Sequence, residues 1–226
     1  MKNQWQQLAP RVHNIQKTKN EVLWPVLLPL IKRHVPMGRV FDDGCGWGEW
    51  ADCLAHVGYD VTASDPAPAM VVTARLRFTR PTFLSWKGTH RNKRSLRGSF
   101  DAVTSNLVLC LLPIREQRAV LKRLRSLVSP QGIIIVTFCH PSFDLAPESL
   151  VSVRHTPVRA QYSRTWSYTK RIKENNLVFT DMHRPLHHYF KLFAEEGLAI
   201  VDGAESLVGS TNYLPDFIIF VLKPTG

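Results

Sequence analysis

Between Val40 and Phe138 the chain changes hydrophobic period repeatedly, from about two residues to about 3.6 and back. That alternation limits the folds open to it more than any other feature. "VFDD" (40–43) reads as a strand, and "EWADCLAHVG" (49–58) follows with helical spacing and a closing glycine. "DVTASD" (60–65) is a second strand, and "PAPAMVVTARLRF" (66–78) is a helix opening on proline, which a first turn tolerates. "TFLSW" (82–86) and "FDAVTSN" (100–106) read as the third and fourth strands. "IREQRAVLKRLRSLV" (114–128) is an amphipathic helix with Ala119, Leu121, Leu124, Leu127 and Val128 toward one face. "SPQG" (129–132) is a turn, and "IIIVTF" (133–138) is apolar on both faces, as a buried parallel strand must be. Strand and helix in strict alternation imply an α/β fold, a mostly parallel sheet with helices on both faces.

After Cys139 the rhythm breaks. Residues 140–182 are polar, basic and aromatic, with short β-like pieces, and read as an irregular β-rich insertion after the fifth strand. "PLHHYFKLFAEEGL" (185–198) returns as a helix, and "AIVDGAES" and "PDFIIFVLKP" read as two closing strands, seven in all. The expectation is one domain over 1–226, with an N-terminal helical segment and candidate lid at 1–35, to which Arg11 and His13 belong. The most apolar early stretch, Val22–Ile31, is about half the length of a membrane span and carries Pro25 and Pro29, so it reads as a kinked or offset buried helix. With no apolar leader at the start and four cysteines outside any metal-ligand or CxxC spacing, the expected setting is cytoplasmic, with reduced thiols, no metal and no membrane.

The formal charge of +11 is uneven: eight basic residues and no acid from Arg75 to Arg97, and six with no acid from Arg154 to Lys173. Such runs attract phosphate, nucleic acid or carboxylate, or simply form a solvated face.

The first strand leads straight into Gly44, Gly46 and Gly48. A glycine turn there lets the backbone approach a ligand, while the following helix presents free N–H groups. It is not a phosphate loop of the G-x-x-x-x-G-K-[ST] kind, and the dinucleotide fingerprint fails at Glu49, where a third glycine is needed. "VFDDGCGWG" resembles the first motif of the class I S-adenosylmethionine (SAM)-dependent methyltransferases. "GSFDAVTSNLVLCLL" (98–112), "LVSPQGIIIVTF" (127–138) and "DFIIFVLKP" resemble their fourth-strand, fifth-strand and closing-strand segments, in the right order. The resemblance implies a Rossmann-like seven-stranded sheet, SAM as cofactor and S-adenosylhomocysteine as product. It implies that Gly44, Cys45, Gly46 and Gly48 pass the methionine and ribose portion, with Asp42 anchoring the loop or the amino group. Asp65, 23 positions on, would take the ribose hydroxyls, Pro66 and Ala67 would edge the adenine, and Asn106 and Leu107 would sit beside the sulfonium. Two departures stand out. Asp43 replaces a small or apolar residue, and "TFLSWKGTH" lacks the acid that often holds the adenine amine, leaving Trp86 to stack there.

Methyl transfer from a sulfonium is an in-line displacement, served mainly by alignment. A hydroxyl or acidic N–H acceptor gains from a base, most often histidine. His140, directly after the fifth strand, is one candidate base or substrate contact, and His183 is the second. His183 opens "HRPLHHYF", which resembles a segment of many small-molecule members that follows a substrate-covering insertion. Tyr162, Trp166 and Tyr168 share a face if they lie on one strand and, with Trp47 in the loop, would wall a flat aromatic or apolar acceptor, while the basic runs would serve an anionic, carboxylate- or phosphate-bearing one. The leading reading is therefore N- or O-methylation of a small molecule in a biosynthetic pathway. An RNA or tRNA methyltransferase using the basic surface, and a degenerate SAM-binding partner protein, are the alternatives. Against RNA, the place of an N-P-P-Y-like tetrad reads "SNLV" (105–108). Oligomeric state has no signature in the sequence.

Overall fold

A computed structural model of the chain describes residues 19–85, 95–148, 152–155, 160–174, 176–206 and 215–225. The strands β1 (Arg39–Asp43), β2 (Asp60–Asp65), β3 (Thr82–Ser85), β4 (Phe100–Asn106), β5 (Val128–Cys139), β9 (Leu198–Ser206) and β10 (Phe217–Pro224) form one sheet. Their order is β3-β2-β1-β4-β5-β10-β9, parallel except that β10 runs antiparallel to both of its neighbours. The order reverses at β1, between β2 and β4. That is the switch point beside which open α/β sheets bind ligands.

The two faces follow from side-chain alternation. On β5, Ile133, Ile135 and Cys139 join one core with Val40, Val61 and Ala102, while Ile134, Val136 and Phe138 join the other with Phe41 and Val103. The first core is covered by α1 (Trp24–His34), α2 (Glu49–His56) and α3 (Pro68–Arg77), the second by α4 (Ile114–Leu127) and α5 (Leu186–Glu195). Each fully buried Leu, Ile or Phe contributes about 1.5–3 kcal/mol by leaving water, so these faces carry most of the stability. Phe138 is fully buried and stacks on Tyr189 with ring centroids 3.8 Å apart.

Three local expectations change. The buried stripe of α4 is Gln117, Val120, Leu121, Leu124 and Leu127, and Ala119 is exposed. That stripe is the stricter i, i+3, i+4 series, and Gln117 enters it because its amide N–H donates to Leu109 O at 2.7 Å. "SPQG" is not a turn but the start of β5, whose register with β4 shifts between Phe100 and Ala102. The insertion is regular where it is described: β6 (Ser152–His155), β7 (Trp166–Ile172) and β8 (Val178–His183) make a separate antiparallel sheet in the order β6-β7-β8. Its inner positions include Arg154, Lys170 and Asp181, all buried. Those charges mask the apolar alternation by which a strand is recognised. Ile172 and Leu177, with Phe179 beside them, pack on Trp47, Ala67 and Met70, which seats this sheet over the glycine loop.

Pro25 stands in the first turn of α1 and Pro29 inside it, after a π turn at Lys19–Leu23. Residues 1–18, with Arg11 and His13 of the candidate lid, lie outside the described residues. Cys110 and Cys139 are buried and Cys45 and Cys53 half-buried, all as free thiols. No described helix is long and apolar enough to cross a membrane.

Candidate functional site

The loop after β1 is fixed from both sides. Gly44 N–H and Cys45 N–H both donate to Ser64 O, at 2.8 and 2.9 Å, tying the turn to the end of β2. Gly44 lies at φ +83°, where an added Cβ would meet Val108 at 2.4 Å, so the turn closes only on glycine. Gly46, at φ +53°, differs: a Cβ there would meet nothing within 4 Å. Its backbone borders open space, as a backbone that cradles a ligand does. Gly48, at φ +84°, precedes the first turn of α2 without a side-chain cap.

Asp65 holds this loop as well as facing the site. Its Oδ2 accepts Gly46 N–H at 3.0 Å and its Oδ1 accepts Ala67 N–H at 2.8 Å. Burial pushes its carboxyl up to about 6, the two N–H bonds pull it back, and Asp43 adds to the rise. Asp42 is buried, and its Oδ1 accepts the Thr104 hydroxyl at 2.9 Å, joining β1 to β4. Asp43, one position on, points to the opposite face. There the Arg123 guanidinium on α4 grips it with Nε at 3.0 Å and Nη2 at 2.5 Å. The unusual acid is thus a buried bidentate pair with a helix of the other layer. The Cys45 thiol is held well above its usual range by burial and then by Asp42, Asp65 and Asp43. Three carboxylates therefore surround one loop, with a single guanidinium on the far face.

The end of β4 supplies the next wall. Register places Asn106 beside Thr137 of β5. Asn106 Nδ2 and Oδ1 and Thr137 Oγ1 are buried with no hydrogen-bond partner among the described residues. Leu107 follows at φ +58°, a left-handed conformation that costs a leucine about 1–2 kcal/mol, and its N–H donates to Thr137 O at 2.8 Å. Backbone strain and unpartnered buried polar atoms concentrate at functional sites, which makes this end of β4 a candidate wall.

The structure brings Asp42, Gly44, Cys45, Gly46, Gly48, Asp65 and Ala67 into one neighbourhood at the carboxyl ends of β1 and β2. Asn106 and Leu107 flank it at the end of β4, since β4 pairs with β1. Pro66 is exposed beside Asp65, and Trp86 lies outside the described residues. Trp47 is 3% exposed and packs in the cluster that seats the insertion sheet.

The two histidines are already bonded within the fold. Ser142 N–H donates to His140 Nδ1 at 3.1 Å, so the neutral ring carries its proton on Nε2 and donates it to Glu205 at 3.0 Å. Burial lowers His140 against the pull of Glu205. His183 is fully buried. Its Nδ1 meets Asp144 Oδ2 at 3.1 Å, its Nε2 meets Tyr162 O at 2.9 Å, and its ring stacks on Trp166 at 4.6 Å. Trp166 and Tyr168 both lie on β7, 5.5 Å apart, but Tyr162 precedes the strand and meets His183 edge-on at 5.7 Å.

Sequence reading missed the polar group beneath β7. The Tyr168 hydroxyl donates to Asp144 Oδ1 at 2.6 Å. The Lys170 ammonium reaches Cys139 Sγ at 3.0 Å and Asp181 Oδ2 at 3.6 Å. Burial alone would lower Lys170, but the Cys139 thiol and the Asp181 carboxylate outweigh it and hold it above its usual range. Asp181 is raised by burial, with Lys170 opposing. The available signal was positional: Lys170 sits at even spacing between Tyr168 and Ile172, the inward parity of the strand.

Comparison with known proteins agrees with this geometry. Residues 40–132 match a family model described as a methyltransferase domain. The ubiquinone biosynthesis O-methyltransferase of Xanthomonas campestris pv. campestris is 32% identical over 118 residues, which are 50% of this chain and 48% of that protein. The chain spans about half the length of the curated relatives it matches. Among solved structures, the PH0226 protein from Pyrococcus horikoshii OT3 superposes with a TM-score of 0.68 at 20% identity, covering 93% of this chain and 92% of that one. A complex described as DhpI-SAM-HEP superposes with a TM-score of 0.64 at 17% identity, covering 98% and 95%. These structural likenesses establish a shared fold.

Proposed function

We propose that this chain is a class I S-adenosylmethionine-dependent methyltransferase: it passes a methyl group from SAM to an N or O atom of a small-molecule acceptor. The observation that carries the reading is the charge of the loop. Asp42 and Asp65 both bear on Cys45, while Asp43 is neutralised by Arg123 on the far face. A negative loop suits a cofactor with a positive sulfonium and a positive ammonium, and repels the phosphates a dinucleotide would bring. The residues fit SAM in shape as well: the open space at Gly46 admits a ligand beside the backbone, and the unpartnered Asn106 amide offers a donor and an acceptor there.

SAM supplies, when bound, a methyl group already activated on a positively charged sulfur. The chain's own residues then bind, align and exclude water. Asp65 holds the loop through Gly46 and Ala67 and retains lone pairs for ribose hydroxyls. Leu107 and Asn106 border the reacting end, and the β6-β7-β8 sheet serves as the cover over the acceptor. His140 and His183 have both ring nitrogens engaged within the fold, so alignment supplies most of the acceleration and neither ring is a ready base. The relatives named for ubiquinone biosynthesis and for demethylmenaquinone methylation favour a quinone-type small molecule as the acceptor class.

The test is transfer of label from methyl-tritiated SAM into a cell extract separated into small-molecule and RNA fractions. Label in the small-molecule fraction is expected. Label confined to RNA would replace this reading with RNA methylation. Binding of SAM without label in either fraction would favour a SAM-binding partner protein.

A further inference from the structure

A cleft of about 680 Å³ lies between the starts of α4 and α5 and the chain leading into β7. Its walls include Arg118, Arg184, His187, His188, Lys191 and Glu195. Met182 and Arg184 both line it, while His183 between them turns to Asp144 on the other side. The cleft thus backs onto the insertion sheet, and none of its lining residues belongs to the glycine-loop neighbourhood.

Arg184 is the decisive residue. It is 3% exposed, yet its guanidinium meets no carboxylate among the described residues. Nη1 donates to Cys110 O at 3.0 Å, and Nη2 donates to Leu112 O and lies 3.2 Å from Met182 Sδ. Buried cations are normally paired with an anion, because leaving water costs several kcal/mol. Here carbonyl dipoles orient the charge without cancelling it. Around it, Arg118 is compensated by Glu195 and by Glu196 at 2.8 Å, and Lys191 lies only 3.8 Å from Glu195, so one carboxylate is shared between two cations. His187 is exposed, and the His188 ring bonds Gln117 Oε1 at 2.9 Å. His188 is lowered to about 4 chiefly by burial, and then by Arg184, His187 and Arg118, with Glu195 opposing. The starts of two helices face the same space and add the positive ends of their dipoles.

We infer that this cleft is a second ligand site, which binds a small molecule through a phosphate or carboxylate group placed against Arg184 and Lys191. Its volume is that of a small-molecule pocket, and guanidinium with ammonium is the donor set that oxyanions select. Its occupancy would press on the end of β8 through Met182 and on the adjoining Arg184.

The test is calorimetric titration of the whole chain with inorganic pyrophosphate and, separately, citrate. Saturable one-to-one binding of one or both is expected, weakening about tenfold in Lys191→Glu and again in His187→Glu, two surface changes that spare the fold. Preference for pyrophosphate identifies phosphate as the group read, and preference for citrate identifies carboxylate. Absence of saturable binding overturns the inference, as does affinity unchanged by both variants. A single-stranded RNA that binds more tightly than pyrophosphate, with the same sensitivity to Lys191→Glu, also overturns it and makes the cleft part of a nucleic-acid surface.

Discussion

The two sheets of this molecule are held together by opposite means. The seven-stranded sheet is apolar on both faces, and its polar residues gather at one edge, where β1, β2 and β4 end. The three-stranded sheet turns charged and polar residues inward: Arg154, Tyr168, Lys170, Asp181 and His183 are all buried. Burial of apolar area is non-directional and tolerates repacking, whereas a buried charge is stable only with its partner in place. The first sheet is therefore a platform. The second has a geometry fixed by specific pairs, which suits the role of cover proposed for it.

Substitutions separate the two regimes. The largest loss is expected in the platform: Phe138→Ala removes a fully buried ring from the α4/α5 core and should cost about 3–5 kcal/mol in chemical denaturation. In the cover, Lys170→Met should cost about 3 kcal/mol, because it leaves Asp181 buried without its cation. The double change Lys170→Met/Asp181→Leu should recover most of that loss, since two apolar residues replace a desolvated pair. A double variant as unstable as the single would mean that the cover is held by packing like the platform, and the contrast would fail.

The same contrast explains how much was legible in the sequence. The platform announced itself through alternation: Ile133 to Phe138 read as a buried strand because both faces are apolar, and the faces are those observed. The glycine loop was legible because Gly44 sits where a Cβ would strike Val108, so chemistry left no other residue. The pairings of the acids were not legible. Asp43 and Arg123 lie 80 positions apart, and only the stacking of α4 against the sheet brings them together. The cover was illegible for a physical reason: Lys170 and Asp181 occupy inward positions where the reading rule expects apolar residues. Position singled out His140 just past the fifth strand, and the family resemblance singled out His183, but neither showed the hydrogen bonds that engage both nitrogens of each.

The smallest effect expected is a pH dependence confined to the platform's edge. Asp65 is raised to about 6 from an ordinary value of 3.8. A carboxyl raised on folding holds its proton more tightly in the folded chain. Its contribution to stability is therefore greatest at low pH and falls as pH rises through that window. In the role proposed for Asp65, ligand binding runs the other way, because ribose hydroxyls would donate to the ionised carboxylate. The affinity for S-adenosylhomocysteine should thus rise through about pH 6 and level off above it. It should be about tenfold weaker one unit below that point than on the plateau. Asp65→Asn should bind weakly and lose the step, while Lys170→Met, in the cover, should keep it. Calorimetric titration of S-adenosylhomocysteine across pH reads both. A step that survives in Asp65→Asn would move the titrating group off the loop, and a step lost in Lys170→Met would place the cover's charges in control of the cofactor edge.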